Sequence, residues 1–191
     1  MRLEILNSGY GFGAKVLFAF IRAVSGQPVP DAARLAFYRP EFHSKIKFTH
    51  EAMRGPSAWS VGDRELMAAY VSKMNQCEFC VGAHTAVAAM AYQDEARVSA
   101  VFSNLETAPI EEPLRATLRM LGKLTREHQV DVSDMRAVLA AGASQEQVKD
   151  ALAVCFAFNV TGRLADAFEF SMPGPKGFEA GAKYLLSRGY R

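Results

Sequence analysis

No stretch of this chain alternates apolar and polar residues between turn signals for long enough to form a strand, while alanine, leucine, methionine and glutamate dominate most of its length. The fold class that follows is all-α, a helical bundle. With 191 residues, half of them apolar, the chain can bury roughly 70% of the surface its unfolded form exposes, enough for one core. We therefore read residues 1–191 as one helical domain. Its motif core lies at about 63–92 and a C-terminal helical half at about 109–187. Gly26 to Pro30 ends an N-terminal helix, Pro40 lies in a second connection, Gly55-Pro56 and Gly62 precede a third region, and Ala108-Pro109 to Pro113 opens the second half. Ser144 to Gln147 has capping-box spacing before the apolar stripe Val148, Ala151, Leu152, Cys155 and Phe158, so a long helix follows. It should stop before Pro173-Gly174-Pro175, leaving a short terminal helix at about Phe178 to Ser187. Two similar helical hairpins are expected around Gly122 and Gly142.

Basic residues outnumber acidic ones by only two and are scattered, which leaves no footprint for nucleic acid. The apolar segment Val16 to Ile21 is closed by Lys15 and Arg22, far short of the ~20 residues of a membrane span, and reads as a core helix. Arg22 followed by Gly26-Gln27-Pro28 does not fit a secretory cleavage site, so a cytoplasmic protein without membrane contact is expected. Three cysteines, Cys77, Cys80 and Cys155, are too few and too odd in number for a disulfide framework. The CxxC pair points instead to redox chemistry or a metal.

From Gln76 the sequence CEFCVGAHTAVAAMAY contains no helix breaker except Gly82, which predicts a central helix starting near Cys77. At about 100° per residue, positions three apart differ by about 60° and positions four apart by about 40°, so Cys77, Cys80 and His84 share one narrow stripe. Unsatisfied N–H groups in the first turn favour a thiolate at Cys77. Lowering a thiol pKa of ~8.5 by two units raises the thiolate fraction at pH 7 roughly 25-fold, but the accompanying loss of nucleophilicity takes back a factor of about eight. Thiolate formation is therefore not the whole catalyst, and a general acid or base, worth about 10²–10⁴, is required. His84 is placed for that role. Glu65 lies on the preceding helical stretch, read with Asp63 as N-cap and Asn75-Gln76 as the break, from which its carboxylate can orient the imidazole.

Arg64-Glu65, twelve residues to Cys77, then CxxC and His84 four residues after Cys80 resembles the signature of the alkyl hydroperoxide reductase D family, within the carboxymuconolactone decarboxylase-like superfamily. Phe158-Asn159 and Gly162-Arg163-Leu164-Ala165 resemble that family's late helix. The resemblance implies an AhpD-like all-helical fold, a homo-oligomer (trimer or hexamer), and a dithiol that reduces peroxides through an internal disulfide, re-reduced by a thiol or dithiol donor, without cofactor or metal. It also implies that Cys80 attacks the peroxide, that Cys77 resolves, and that Glu65 and His84 form the proton relay. The dipole argument, in contrast, favours Cys77 as the more thiolate-like. Phe79 departs from the pattern, since the best-known members carry a second histidine there.

Zinc would take Cys77, Cys80 and His84 but needs a fourth ligand, to be drawn from His43, His50 or His128. Val81 excludes c-type haem attachment, which requires histidine directly after the second cysteine. Cys155, inside an apolar stripe, reads as an inert core residue. Two functional alternatives stand beside thiol peroxidase chemistry: a decarboxylase of the same superfamily acting without thiols, and a non-catalytic helical oligomer whose CxxC senses redox state.

Overall fold

The computed structural model describes residues 8–38 and 41–190, with backbone alone for 41–45. Pro40 lies outside the described residues. Among those described, the chain forms helices only: α1 (Phe12–Ser25), α2 (Asp31–Tyr38), α3 (Glu41–Arg54), α4 (Val61–Met74), α5 (Glu78–Tyr92), α6 (Glu95–Ser103), α7 (Glu112–Glu127), α8 (Val132–Ala140), α9 (Gln145–Ala167) and α10 (Pro175–Arg188). The all-α reading holds, and no helix is long and apolar enough to cross a membrane.

The centre is α4. Every residue from Arg64 to Ser72 is buried, the pattern of a helix enclosed on all sides rather than lying on a surface. It packs against α3, α5, α7 and α9. Its start is a capping box between Ser60 and Asp63, so Asp63 occupies the third helical position rather than the N-cap read from the sequence. The reason is local: Ser60 Oγ accepts from the Asp63 N–H at 3.0 Å while Asp63 returns a bond to the Ser60 N–H at 3.0 Å, satisfying two end amides at once.

The exit of α4 creates the start of α5. Gln76 adopts φ 59, the Cys77 N–H donates to the Ser72 carbonyl at 3.1 Å, and the Gln76 N–H donates to Lys73 at 3.1 Å. This is a Schellman ending, with glutamine at the left-handed position where glycine is commoner. Cys77, the next residue, is the N-cap of α5. The Asn75-Gln76 break and the helix beginning near Cys77 are as expected.

The Ser144 capping box and the long α9 also match expectation. Elsewhere the chain differs. The terminal helix begins at Pro175 rather than Phe178, because proline is well suited to the first helical position. Gly122 lies inside α7 against the Tyr70 ring, and the reversal comes after it, at His128 with φ 60. Gly142 does sit in a turn, between α8 and α9. Finally, α1 is no core helix: none of its residues is buried, and Phe12, Val16, Phe20 and Val24, an i, i+4 stripe, are exposed. Its Phe18 ring rests edge-on against Phe37 of α2.

Close approach of α10 to α5 closes the far side of the cysteine helix. A Cβ on Gly82 would lie 2.6 Å from Phe178 Cζ, well inside contact distance. Gly82→Val is expected to lower unfolding free energy by about 1–3 kcal/mol through overpacking, although valine is intrinsically the better helix former. Urea denaturation checks this, and unchanged stability would mean that the Phe178 ring swings clear without loss.

Candidate functional site

Glu65 has no solvent exposure, so its carboxylate must be satisfied by protein groups or be neutral. Three side chains do so. Arg54 Nη2, at the end of α3, donates to Oε1 at 2.6 Å, His84 Nδ1 of α5 lies 2.7 Å from Oε2, and the Tyr190 hydroxyl, just beyond α10, donates at 2.8 and 3.0 Å to the two oxygens. Burial pushes this carboxyl up, but the hydrogen bond and charge of His84, with the Arg54 guanidinium, outweigh it and hold the group below its ordinary value.

An ionised Glu65 fixes the imidazole. The carboxylate can only accept, so the Nδ1 of His84 carries the proton; the Tyr190 oxygen, 3.2 Å from the same nitrogen, is a second acceptor. Whenever the ring is neutral Nε2 is then its basic nitrogen, and when the ring is charged both nitrogens carry protons. The ring is held edge-on by Phe158 of α9 at 4.2 Å and faced by Tyr190 at 6.2 Å with 20° between planes.

Cys77 and Cys80 are free thiols, both buried. They belong to a small apolar cluster with Leu35, Ala165 and Phe170, separate from the main core that holds Cys155. Hydrogen bonding by the Cys80 side chain pulls the Cys77 thiol below its ordinary value against the opposing effect of burial. Cys155 is the reverse: burial pushes its thiol up, only partly countered by Thr125 and Asn159. Phe79 stands edge-on to Phe170 at 5.2 Å and tilted to Phe178 at 6.5 Å. An open depression of about 350 Å³ lies beside it, lined by Gln76, Glu78, Asp166 and Met172 among others.

The α4, α5 and α9 residues singled out in the sequence thus converge. Glu65 and His84 touch, and the cysteines lie one and two turns before His84 on the same helix. The late segment frames them: Phe158 supports His84, Asn159 accepts from Asn75 Nδ2 at 3.2 Å, and Gly162 lies against Cys77, where an added Cβ would meet Cys77 Cβ at 3.5 Å. Arg64, adjacent to Glu65, instead donates to the Gly55 carbonyl at 2.8 Å. Arg54 and Tyr190 were not legible beforehand, since Tyr190 is 125 residues from Glu65 and no spacing rule links them. Among the described residues no group of three His, Cys, Asp or Glu is placed to hold a metal. His50 accepts from the Tyr190 N–H at 3.2 Å, His128 caps α7, and the side chain of His43 lies outside the described residues.

Residues 40–121 match the model of the carboxymuconolactone decarboxylase family. The fold is similar to that of an uncharacterized peroxidase-related protein from Silicibacter sp. TM1040, with TM-score 0.79, 22% identity and 93% of each chain covered. It is also similar to an alkylhydroperoxidase AhpD core, peroxidase-related protein from Ralstonia eutropha JMP134, with TM-score 0.74, 23% identity and 95% of each chain covered. The debrominase Bmp8, in complex with 2,3,4-tribromopyrrole, is similar at TM-score 0.70 and 13% identity over 92% of this chain and 90% of that one. No curated protein matches in sequence.

The depressed Glu65 carboxyl makes stability depend on pH. A group whose folded pKa lies below its unfolded value of roughly 4.3 stabilises fully above that value and loses its contribution as pH falls through the folded pKa. Urea midpoints measured from pH 6 down to pH 3 should therefore fall for the wild type. The difference between wild type and Glu65→Gln should shrink over the same range; a difference independent of pH would mean Glu65 is not held as the carboxylate.

Proposed function

We propose, from an AhpD-like fold of the carboxymuconolactone decarboxylase-like superfamily, that this chain is a thiol-dependent peroxidase that reduces hydroperoxides through Cys77 and Cys80. The observation that carries the reading is the buried Glu65–His84 hydrogen bond of 2.7 Å, which arms an imidazole one turn after Cys80 on the cysteine helix. A decarboxylase working without thiols has no use for two buried free thiols beside such a pair, and a passive redox sensor has no use for the relay.

In the reduced protein, His84 Nε2 accepts the Cys80 thiol proton and the thiolate attacks the terminal peroxide oxygen. The S–O bond forms, the O–O bond breaks, and the imidazolium returns its proton to the departing alkoxide, giving an alcohol and a Cys80 sulfenic acid. Cys77 then attacks the Cys80 sulfur, water leaves, and the Cys77–Cys80 disulfide remains. An external thiol or dithiol supplies the two electrons that restore it. Cys77, held against the Cys80 side chain, suits the second step, because a neighbouring thiol resolves the sulfenic acid before further oxidation. On this reading the dipole argument and the implied roles no longer compete: Cys77 is a thiol held below its ordinary value and Cys80 is the one a single helical turn before the base.

The whole chain acts as one unit in this scheme, since α3, α4, α5, α9 and the segment after α10 all supply side chains around the relay. The exposed apolar stripe of α1 supports assembly into a homo-oligomer through surfaces of identical chains.

Stopped-flow mixing of the reduced protein with hydrogen peroxide and with cumene hydroperoxide, followed by mass mapping, tests the cycle. The 77–80 peptide should lose two hydrogens while Cys155 stays reduced, dithiothreitol should sustain many turnovers, and Cys77→Ser should stop at a sulfenic acid on Cys80. Absence of turnover, or Cys155 in the dominant disulfide, overturns the reading. Glu65→Gln and His84→Ala should each slow Cys80 oxidation by about 10²–10⁴, and the double variant should be little worse than the slower single one. Losses that multiply would mean the two residues act separately.

A further inference from the structure

We propose that Tyr190, carried in by the segment after α10, is a positioning residue of the Glu65–His84 pair, its hydroxyl bridging carboxylate and imidazole so that both stay in register. This deepens the peroxidase reading and rests on it for its catalytic meaning, but the bridging itself is tested independently.

The hydroxyl lies 2.8 and 3.0 Å from the two Glu65 oxygens and 3.2 Å from His84 Nδ1, so one group touches both partners of a pair that also touch each other. A packing role would be met by phenylalanine, which spares the cost of burying a hydroxyl. The ring's placement is enforced from several sides. Arg54 lies 5.1 Å over its centre, and the same guanidinium donates to the Leu185 carbonyl at 3.1 Å, anchoring the end of α10. Gly189 takes φ 68, and a Cβ there would meet the His50 ring at 2.7 Å, so the chain can turn inward at this point only with glycine. The Tyr190 N–H then docks on His50 Nδ1. Burial and the Glu65 charge raise the phenol well above its ordinary value, so the hydroxyl remains a neutral donor wherever the thiols react.

The consequence has a sign. A donor on Glu65 draws charge from the carboxylate and weakens its hold on the imidazole proton. Removing the hydroxyl also removes an acceptor 3.2 Å from Nδ1, but its donation to the charged oxygens at 2.8 and 3.0 Å is the stronger contact, so the carboxylate is left with the tighter hold on the imidazole proton. The titratable groups in contact with His84 are Glu65 from α4 and Tyr190; Arg54 of α3 touches both of these, His50 of α3 holds the Tyr190 backbone, and Cys80 and Cys77 precede His84 on its own helix.

Nitrogen-15 NMR of His84 across pH 5–9 in the full-length reduced protein reads both tautomer and titration midpoint. Tyr190→Phe should raise the midpoint by about half a unit or more and, within the neutral ring, favour the Nδ1–H tautomer further. Replacing Tyr190 with 3-fluorotyrosine, which keeps the hydroxyl but makes it a stronger donor, should move the midpoint the other way, and this holds even if the phenylalanine variant folds poorly. Peroxide oxidation of Cys80 should slow about tenfold in Tyr190→Phe and not slow further when the change is added to His84→Ala. An unmoved midpoint and tautomer in both variants, with only a lower thermal midpoint, overturns the proposal and leaves Tyr190 a packing residue. Failure of the wild type to consume peroxide would instead overturn the peroxidase reading, with the NMR result still deciding the role of Tyr190.

Discussion

A fully buried carboxylate on the central helix organises this molecule. An isolated charge at Glu65 would cost several kcal/mol even after relaxation, so the sequence can keep it there only by bringing donors to it from other parts of the chain. Arg54 comes from the end of α3, His84 from the first half of α5 and Tyr190 from beyond α10. The three donors converge only when those elements have docked around α4, which makes the cluster a product of tertiary packing. The same dependence explains the unusual character of α4: residues 64–72 are buried whether apolar or charged, and the usual amphipathic signal of a surface helix is absent.

The second constraint is the tight reversal between α4 and α5. A Schellman ending uses the amide of its last residue to close the preceding helix, and here that residue is Cys77, which also caps the next helix. One residue thereby serves as the end of one helix and the start of another, and its sulfur is brought to the N-terminal end of α5. The cysteine register relative to Glu65 is thus set by a backbone motif. An insertion in the turn would rotate Cys80 and His84 together away from α4 by about 100° per residue.

These relations account for what the sequence disclosed and what it hid. The α4–α5 hairpin was legible because its signals are local: a break at Asn75-Gln76, helix formers on both sides, and a 3- and 4-residue spacing that puts two sulfurs and an imidazole on one stripe. The Ser144 box was legible for the same reason. Asp63 was misplaced by one role because Ser60 competes for the cap, and two polar residues three apart are each good caps until the reciprocal bond is seen. Gly122 resembled a bend but serves as a flat spot under Tyr70. The α1 segment looked like core because apolar content says that a face is to be covered, not that this chain covers it. Tyr190 and Arg54 gave no signal at all, since their partner is reached through tertiary packing alone.

The three cysteines show how partners, rather than burial, sort chemically identical groups. All three are almost completely enclosed, and enclosure alone raises a thiol pKa. Cys155 follows that rule in the main core, where Thr125 and Asn159 offer only weak contacts to sulfur at 3.7 and 3.2 Å. Cys77 departs from it because a second thiol hydrogen-bonds to it at a helix start, so that its anion is better satisfied than burial alone would leave it. The departure is modest in rate terms, since nucleophilicity falls as acidity rises. In the proposed cycle the larger share of any acceleration therefore falls to proton transfer, assigned to the pair on which the fold spends its buried charge. Thiol placement and the Glu65–His84 cluster are in this sense separate achievements: the first needs a dozen residues of local sequence, the second needs side chains from α3, α4, α5 and the segment after α10.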